Sequence, residues 1–453
     1  MLKSIFSLGL ILTMSSLLIG EHALAVNSTF NWDSGGASPL APNSAAGTWN
    51  LSNAYWSNGT TDTVWNNGNS DTASFSGGTS YSVTVSGSIA AGGLTFTNTS
   101  GAIVTLQSST IALTGSSALI KQTDGASSAT INSVLSGTAS VVFSVANVTL
   151  GAVETYTGST TTITSGYVRL GVSNALPTNT NLVLNGGTLM FINASANTQT
   201  VQSLSGNNTT ARGIWGRVNG GSTLIINGTS TTTYGGQIIN DTSATQAQNI
   251  EIAGSTNITL TNTSSLTYRG TTLIKDTATL KLGAGANLTN TSSVTVTGGA
   301  LLSTSGTIAL GAGTVSMSSG TINPAGVSTV GTFVIAANQN FSTTGGTINL
   351  DLGTTSDAII GSGIGAFSLS NTTLSLTAGT GFSYGNTYAV FNGFGSGSNS
   401  NLTITGYDTA NYLASLGNNG VLSFNAVPEP STLVLIGGAI LALVTLRRRI
   451  ARQ

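Results

Sequence analysis

Between residues 26 and 430, apolar residues alternate with Ser and Thr in short runs of four to seven positions. Tyr81-Ser82-Val83-Thr84-Val85, Leu182-Val183-Leu184, Thr223-Leu224-Ile225-Ile226, Ile258-Thr259-Leu260 and Val294-Thr295-Val296 are examples. A period of two, rich in β-branched residues, marks strands with one buried face. Gly-Gly, Asn-Gly and Ser-Gly pairs separate the runs. No stretch of the body has a 3.6-residue apolar period. The pattern predicts an all-β chain. One short strand cannot bury its apolar face alone, but stacked coils can, at ~4.8 Å per rung. Inward Val, Ile and Leu then form a narrow core, outward Thr and Ser cover it, and Gly and Asn turn the corners where φ > 0 is needed. The expected fold is a parallel β-helix, a solenoid. With coils of about 20 residues it has some 20 rungs and a length on the order of 90 Å. An array of β-sandwich domains is the alternative.

The body repeats itself. Residues 155–189 align without gaps with 267–301, at a constant offset of 112. Tyr156, Gly158, Leu170, Gly171, Leu176, Gly186, Gly187 and Leu189 match Tyr268, Gly270, Leu282, Gly283, Leu288, Gly298, Gly299 and Leu301; Thr155 and Thr160 match Thr267 and Thr272. Biased composition does not readily align a Tyr, three Leu and the Arg169/Lys281 pair. Tyr156-Thr157-Gly158-Ser159-Thr160 through Val168-Arg169-Leu170-Gly171, and Tyr268-Arg269-Gly270-Thr271-Thr272 through Leu280-Lys281-Leu282-Gly283, resemble the autotransporter-associated β-strand repeat. That resemblance implies a right-handed parallel β-helix. It does not imply an autotransporter, whose chain ends in an outer-membrane barrel of alternating strands.

Both ends of the chain read as targeting segments. Lys3, an apolar stretch from Ile5 to Ile19 and the small-x-small triplet Ala23-Leu24-Ala25 form a secretory signal peptide over 1–25, cut by signal peptidase after Ala25. At the other end, Pro428-Glu429-Pro430 precedes an almost wholly apolar stretch at 431–446 and the basic run Arg447-Arg448-Arg449. As a transmembrane helix, 431–446 would span about 24 Å, a little short of a ~30 Å hydrocarbon core. The arginines would act as a membrane stop on the cytoplasmic side. Residues 428–453 resemble the PEP-CTERM sorting signal of Gram-negative bacteria. The resemblance implies an exosortase, a membrane cysteine enzyme, as processing partner. Two prolines hold an extended stretch that a peptidase can grip.

Between the signals the aromatic residues gather at two places. Four of the five tryptophans, Trp32, Trp49, Trp56 and Trp65, lie in 26–75, and Phe382, Tyr384, Tyr388, Phe391, Phe394, Tyr407, Tyr412 and Phe424 lie in 380–425. A solenoid needs its ends closed. The expected order is an aromatic cap at 26–75, the β-helix at 76–362 and a C-terminal β cap at 363–427. The tryptophans have a second reading, in which Trp49 and Trp56 stack on sugar rings.

Composition narrows the chemistry. Gly (59), Ser (61), Thr (73) and Asn (41) make up about half of the 453 residues, and charged residues only 6%. Cysteine is absent, and the single histidine, His22, lies in the signal peptide. A Ser-His-Asp triad, a Cys nucleophile and a His/Cys zinc site are therefore excluded from the mature chain. Residues 26–430 hold seven basic and twelve acidic residues, a formal charge of −5, and the basic ones form no stripe for nucleic acid. Scattered carboxylates, with Asp351 and Asp357 the closest pair before the tail, give little basis for glycosidase chemistry, which needs two about 5–9.5 Å apart. No cofactor and no metal are expected. The densest local group is Arg212, Trp215 and Arg217, readable as a solvated corner loop or as a contact for an acidic sugar. The leading expectation is an exported structural or adhesive protein of the cell surface or the surrounding exopolysaccharide. A carbohydrate-binding surface protein comes second, and a polysaccharide lyase or hydrolase on a β-helix third.

Overall fold

The computed structural model describes residues 27–427, apart from 37–41, 43, 193–195, 208–212, 218, 242–245, 262–265, 305 and 326–328, together with 439–444 and 447–448. The body is all-β, and its strands stack in parallel, coil upon coil. On the first face, Ala73, Leu94, Ile120, Phe143, Ile163 and Leu184 lie over one another. The same face continues through Ile258, Leu280, Leu301, Ile322, Ile348 and Leu374. The second face carries Val104, Ala129, Val148, Val168, Leu189, Ile214 and Ile238 in one column. The third carries Leu224, Ile250, Thr272, Val294, Val315, Phe341 and Phe367. All these residues are buried in one continuous core. Packed sandwiches are built from antiparallel sheets, so the parallel columns dispose of the sandwich array.

The coils are longer than expected. Column partners are 20 residues apart at Phe143 and Ile163, 26 at Val315 and Phe341, and 30 at Phe367 and Gly397. The solenoid has about 12 turns, not some 20. Corner loops vary in length, and each added corner residue lengthens the coil without adding a rung. The parallel stack also passes both expected boundaries of the β-helix. Gly47–Trp49 pairs in parallel with Tyr81–Val85, and Ser396–Ser400 with Ala366–Ser370. Antiparallel pairing joins Thr29–Trp32 to Trp56–Ser57 at one end, and Tyr388–Ala389, Val421–Ala426 and Tyr412–Leu416 at the other.

The two copies of the internal repeat fold alike but sit one face apart. Tyr156 and Tyr268 are both buried, and their hydroxyls lie 2.6 Å from Thr161 Oγ1 and Thr272 Oγ1. Gly158 and Gly270 each allow a backbone approach that a Cβ would block, at 2.0 Å from Ala139 O and 2.1 Å from Gln248 O. Yet 160–163 lies on the first face against Asn181–Leu184, whereas Thr271–Lys275 lies on the third, against Gln248–Gly254. An interval of 112 residues is not a whole number of coils. The alignment also slips at one position: the counterpart of Thr272 is the inward Thr161, not Thr160, which faces outward. In a strand a slip of one residue exchanges inside for outside. The second copy makes up the difference with one extra residue at its corner, between Thr272 and Leu280.

Candidate functional site

The aromatic group near the N-terminus is part of the core. Trp32, Trp49 and Trp56 are 0% exposed and Trp65 3%. Trp56 packs against Trp32, Trp49, Trp65 and Phe75 with ring centroids 4.6–5.6 Å apart. Trp32 Nε1 donates to Ala45 O and Trp65 Nε1 to Ala90 O, each at 2.8 Å. Trp49 Nε1 and Trp56 Nε1 are buried without a partner. With no ring face open to solvent, neither Trp49 nor Trp56 offers a sugar a stacking platform. The physical reason is the open end of the apolar core, which these rings fill.

Trp215 and Arg217 lie elsewhere, on the outer side of the second face. Inward residues of successive coils are Val168, Leu189 and Ile214; the outward residues beside them are Arg169, Met190, Trp215 and Ile239, stacked in register. Trp215 is 7% exposed. The Arg217 guanidinium sits over its ring at 4.9 Å, and Arg217 Nε pairs with Asp241 Oδ2 at 2.9 Å. Tyr167 lies against Trp215 at 5.9 Å. Arg169 donates from Nη2 to Asn147 Oδ1 at 2.8 Å, while its Nε is buried with no partner. Burial, and then the neighbouring Arg217 charge, hold the Arg169 guanidinium below its usual pKa. Arg212 lies outside the described residues.

Sequence reasoning grouped Trp215 with its chain neighbours and missed Tyr167, Arg169 and Asn147. They come from coils two and three turns away. The only signal would have been the coil length at each corner, which is irregular.

The fold brings Asp351 and Asp357 side by side, with Asp351 N donating to Asp357 Oδ2. Asp357 is buried and accepts from Gly331 N at 2.7 Å and Asp351 N at 3.0 Å. Both its oxygens thus hold backbone amides. Burial pushes its pKa up to about 6. Asp351 lines a cleft of about 590 Å³ with Val330, Thr355 and Thr380. Glu154, 2% exposed, accepts from Leu135 N through Oε2, its Oε1 has no partner, and burial raises its pKa well above the usual carboxylate range. Among the described residues no group of three or more His, Cys, Asp or Glu is placed to hold a metal ion.

The tail leaves the body at Val427, whose N–H donates to Asn411 O at 2.8 Å. Pro428, Glu429 and Pro430 lie outside the described residues, as do Ala23, Ala25 and Arg449. Residues 439–444 are helical and exposed, and so are Arg447 and Arg448. Among the described residues no helix is long and apolar enough to cross a membrane. The expected membrane helix at 431–446 therefore lacks structural support: only 439–444 is described, about 9 Å at ~1.5 Å per residue.

No curated protein matches the chain in sequence. Residues 426–449 match the family described as the PEP-CTERM protein-sorting motif. That match joins the Pro-Glu-Pro box, the apolar stretch and the basic run into one signal, and the signal implies a protein of the cell envelope, exported and processed by an exosortase.

Proposed function

We propose that the mature chain is a non-enzymatic structural or adhesive rod of the cell surface or extracellular matrix. It is exported through the signal peptide at 1–25 and held by a membrane helix at 431–446 until an exosortase acts near Pro428-Glu429-Pro430. The observation that supports this most is the sorting motif at 426–449 on a β-solenoid. A solenoid grows by adding coils that each contact only their neighbours, so length and surface come without a catalytic centre. The repeats at 155–189 and 267–301 are read as autotransporter-associated β-strand repeats, shared architecture without shared export route. The absence of His and Cys from residues 26–453 and the use of Asp357 to hold backbone amides weigh against a lyase or hydrolase.

A second reading, a carbohydrate-binding surface protein, is favoured by the outward group around Trp215 and Arg217. The decisive experiment is Glu429→Ala in the native host, followed by fractionation and immunoblotting. The expected result is loss of the processed form and retention of full-length protein in the membrane fraction. Unchanged processing and release would overturn the sorting assignment.

A further inference from the structure

The geometry points to an oxyanion site on the outer second face, built from Arg169, Arg217, Tyr167 and Trp215, whose ligand is a carboxylated polysaccharide. Two guanidiniums approach closely enough for each other's charge to be felt, and the group contains one carboxylate, Asp241, which already pairs with Arg217. Arg169 has no carboxylate partner among the described residues, only Asn147, and its buried Nε is unsatisfied. That Nε is closed to solvent, so the half-buried side chain meets a ligand through its Nη groups, and a planar guanidinium can donate two N–H groups to one carboxylate. The flanking residues fit a sugar acid better than a free ion. Tyr167 is half-buried beside Trp215, so an aromatic edge adjoins the cationic fork. The rest of the body is acidic and repels a polyanion, which leaves this patch as the local point of attachment. The inference does not depend on where the tail is cut.

The test uses the full-length protein and oligogalacturonate, with its methyl ester as uncharged comparator, measured by calorimetry at two salt concentrations. Oligogalacturonate is expected to bind, more weakly at high salt, and the methyl ester not to bind. Arg169→Gln is expected to weaken binding by about tenfold or more, the worth of a charged hydrogen bond. Lys121→Gln, on the exposed first face, leaves affinity unchanged. Asp241→Asn removes the competing carboxylate and tightens binding; it keeps the proposal testable should Arg169→Gln fail to fold. Four results overturn it: no oligogalacturonate binding, equal binding of the methyl ester, unchanged affinity in both Arg169→Gln and Asp241→Asn, or inorganic phosphate binding with the same affinity, which marks an adventitious ion only.

Discussion

The tryptophan cluster makes a quantitative prediction about Trp32 and Trp56. Both are fully buried, but only Trp32 has its N–H satisfied, by Ala45 O. Replacing either by Phe deletes two ring carbons and the indole nitrogen, and the two carbons carry about 1.6 kcal/mol of apolar burial at roughly 0.8 kcal/mol per methylene-sized group. Trp32→Phe also loses a hydrogen bond worth about 1 kcal/mol, for a total of about 2.6 kcal/mol. Trp56→Phe instead removes a buried, unpartnered donor, whose burial costs about 1–3 kcal/mol. The two terms offset, and Trp56→Phe comes out within about 1.5 kcal/mol of neutral. Trp56→Ala, which also empties the contacts to four rings, costs about 3–5 kcal/mol. A solenoid is quasi-one-dimensional, so the loss is felt locally rather than as one global transition. Amide hydrogen exchange is the assay. Protection should fall at Thr72–Gly77 and Tyr81–Val85 in Trp56→Ala and Trp32→Phe, stay near wild type in Trp56→Phe, and not change at Thr347–Leu352 in any variant. Equal losses for the two Phe variants would refute the hydrogen-bond argument. A uniform loss along the rod would refute the reading of a local end closure.

Gly186 has φ +113 and Gly298 φ +124, and a Cβ on either would lie 2.6–2.7 Å from a carbonyl of the preceding coil. Gly87 has φ +80 and open space around it. Gly186→Ala and Gly298→Ala should each cost more than the roughly 1–3 kcal/mol of backbone strain expected at Gly87→Ala, and equal melting shifts for all three would contradict the contact argument. Asp357 titrates near 6 when folded. Because the unfolded carboxyl ionises first, its contribution to stability is full below the ordinary value of 3.8 and is lost as pH rises through about 6. Asp357→Asn should flatten the stability profile over that window, checked by denaturant titration at several pH values; a profile as steep as wild type would exclude Asp357 as its source. Glu154 has the same sign, with folded pKa raised by burial. Glu154→Gln keeps an acceptor for Leu135 N–H and should raise stability at pH 8 while leaving it nearly unchanged at pH 4. A loss at pH 8 would show that the ionised form is the one the fold accommodates.

How much of this was visible in the sequence differs by element. Tyr81-Ser82-Val83-Thr84-Val85 announced its strand and its inward side, and the observed burial alternates as that pattern requires. Gly186 and Gly298 were matched as repeat glycines, and both adopt φ > 0. The coil length was not visible. It depends on corner segments whose residue number is free to vary, because only the strands must stay in register. For the same reason the sequence alignment put Thr160 opposite Thr272, and only the inward hydroxyl of Thr161 shows the true correspondence.

The sequence alone determined that the body is β, that its corners need Gly and Asn, that residues 26–453 hold no His or Cys, and that a sorting signal sits at the tail. These follow from residue type and local period, which act within a few positions. The tertiary structure decided which faces the repeats occupy, that Trp49 and Trp56 close a core, and that Arg169, Trp215 and Arg217 share a surface. Arg169 and Trp215 are 46 positions apart in the chain and two coils apart in the stack. Only the winding of the intervening coils, summed over corners of unequal length, brings them into one column.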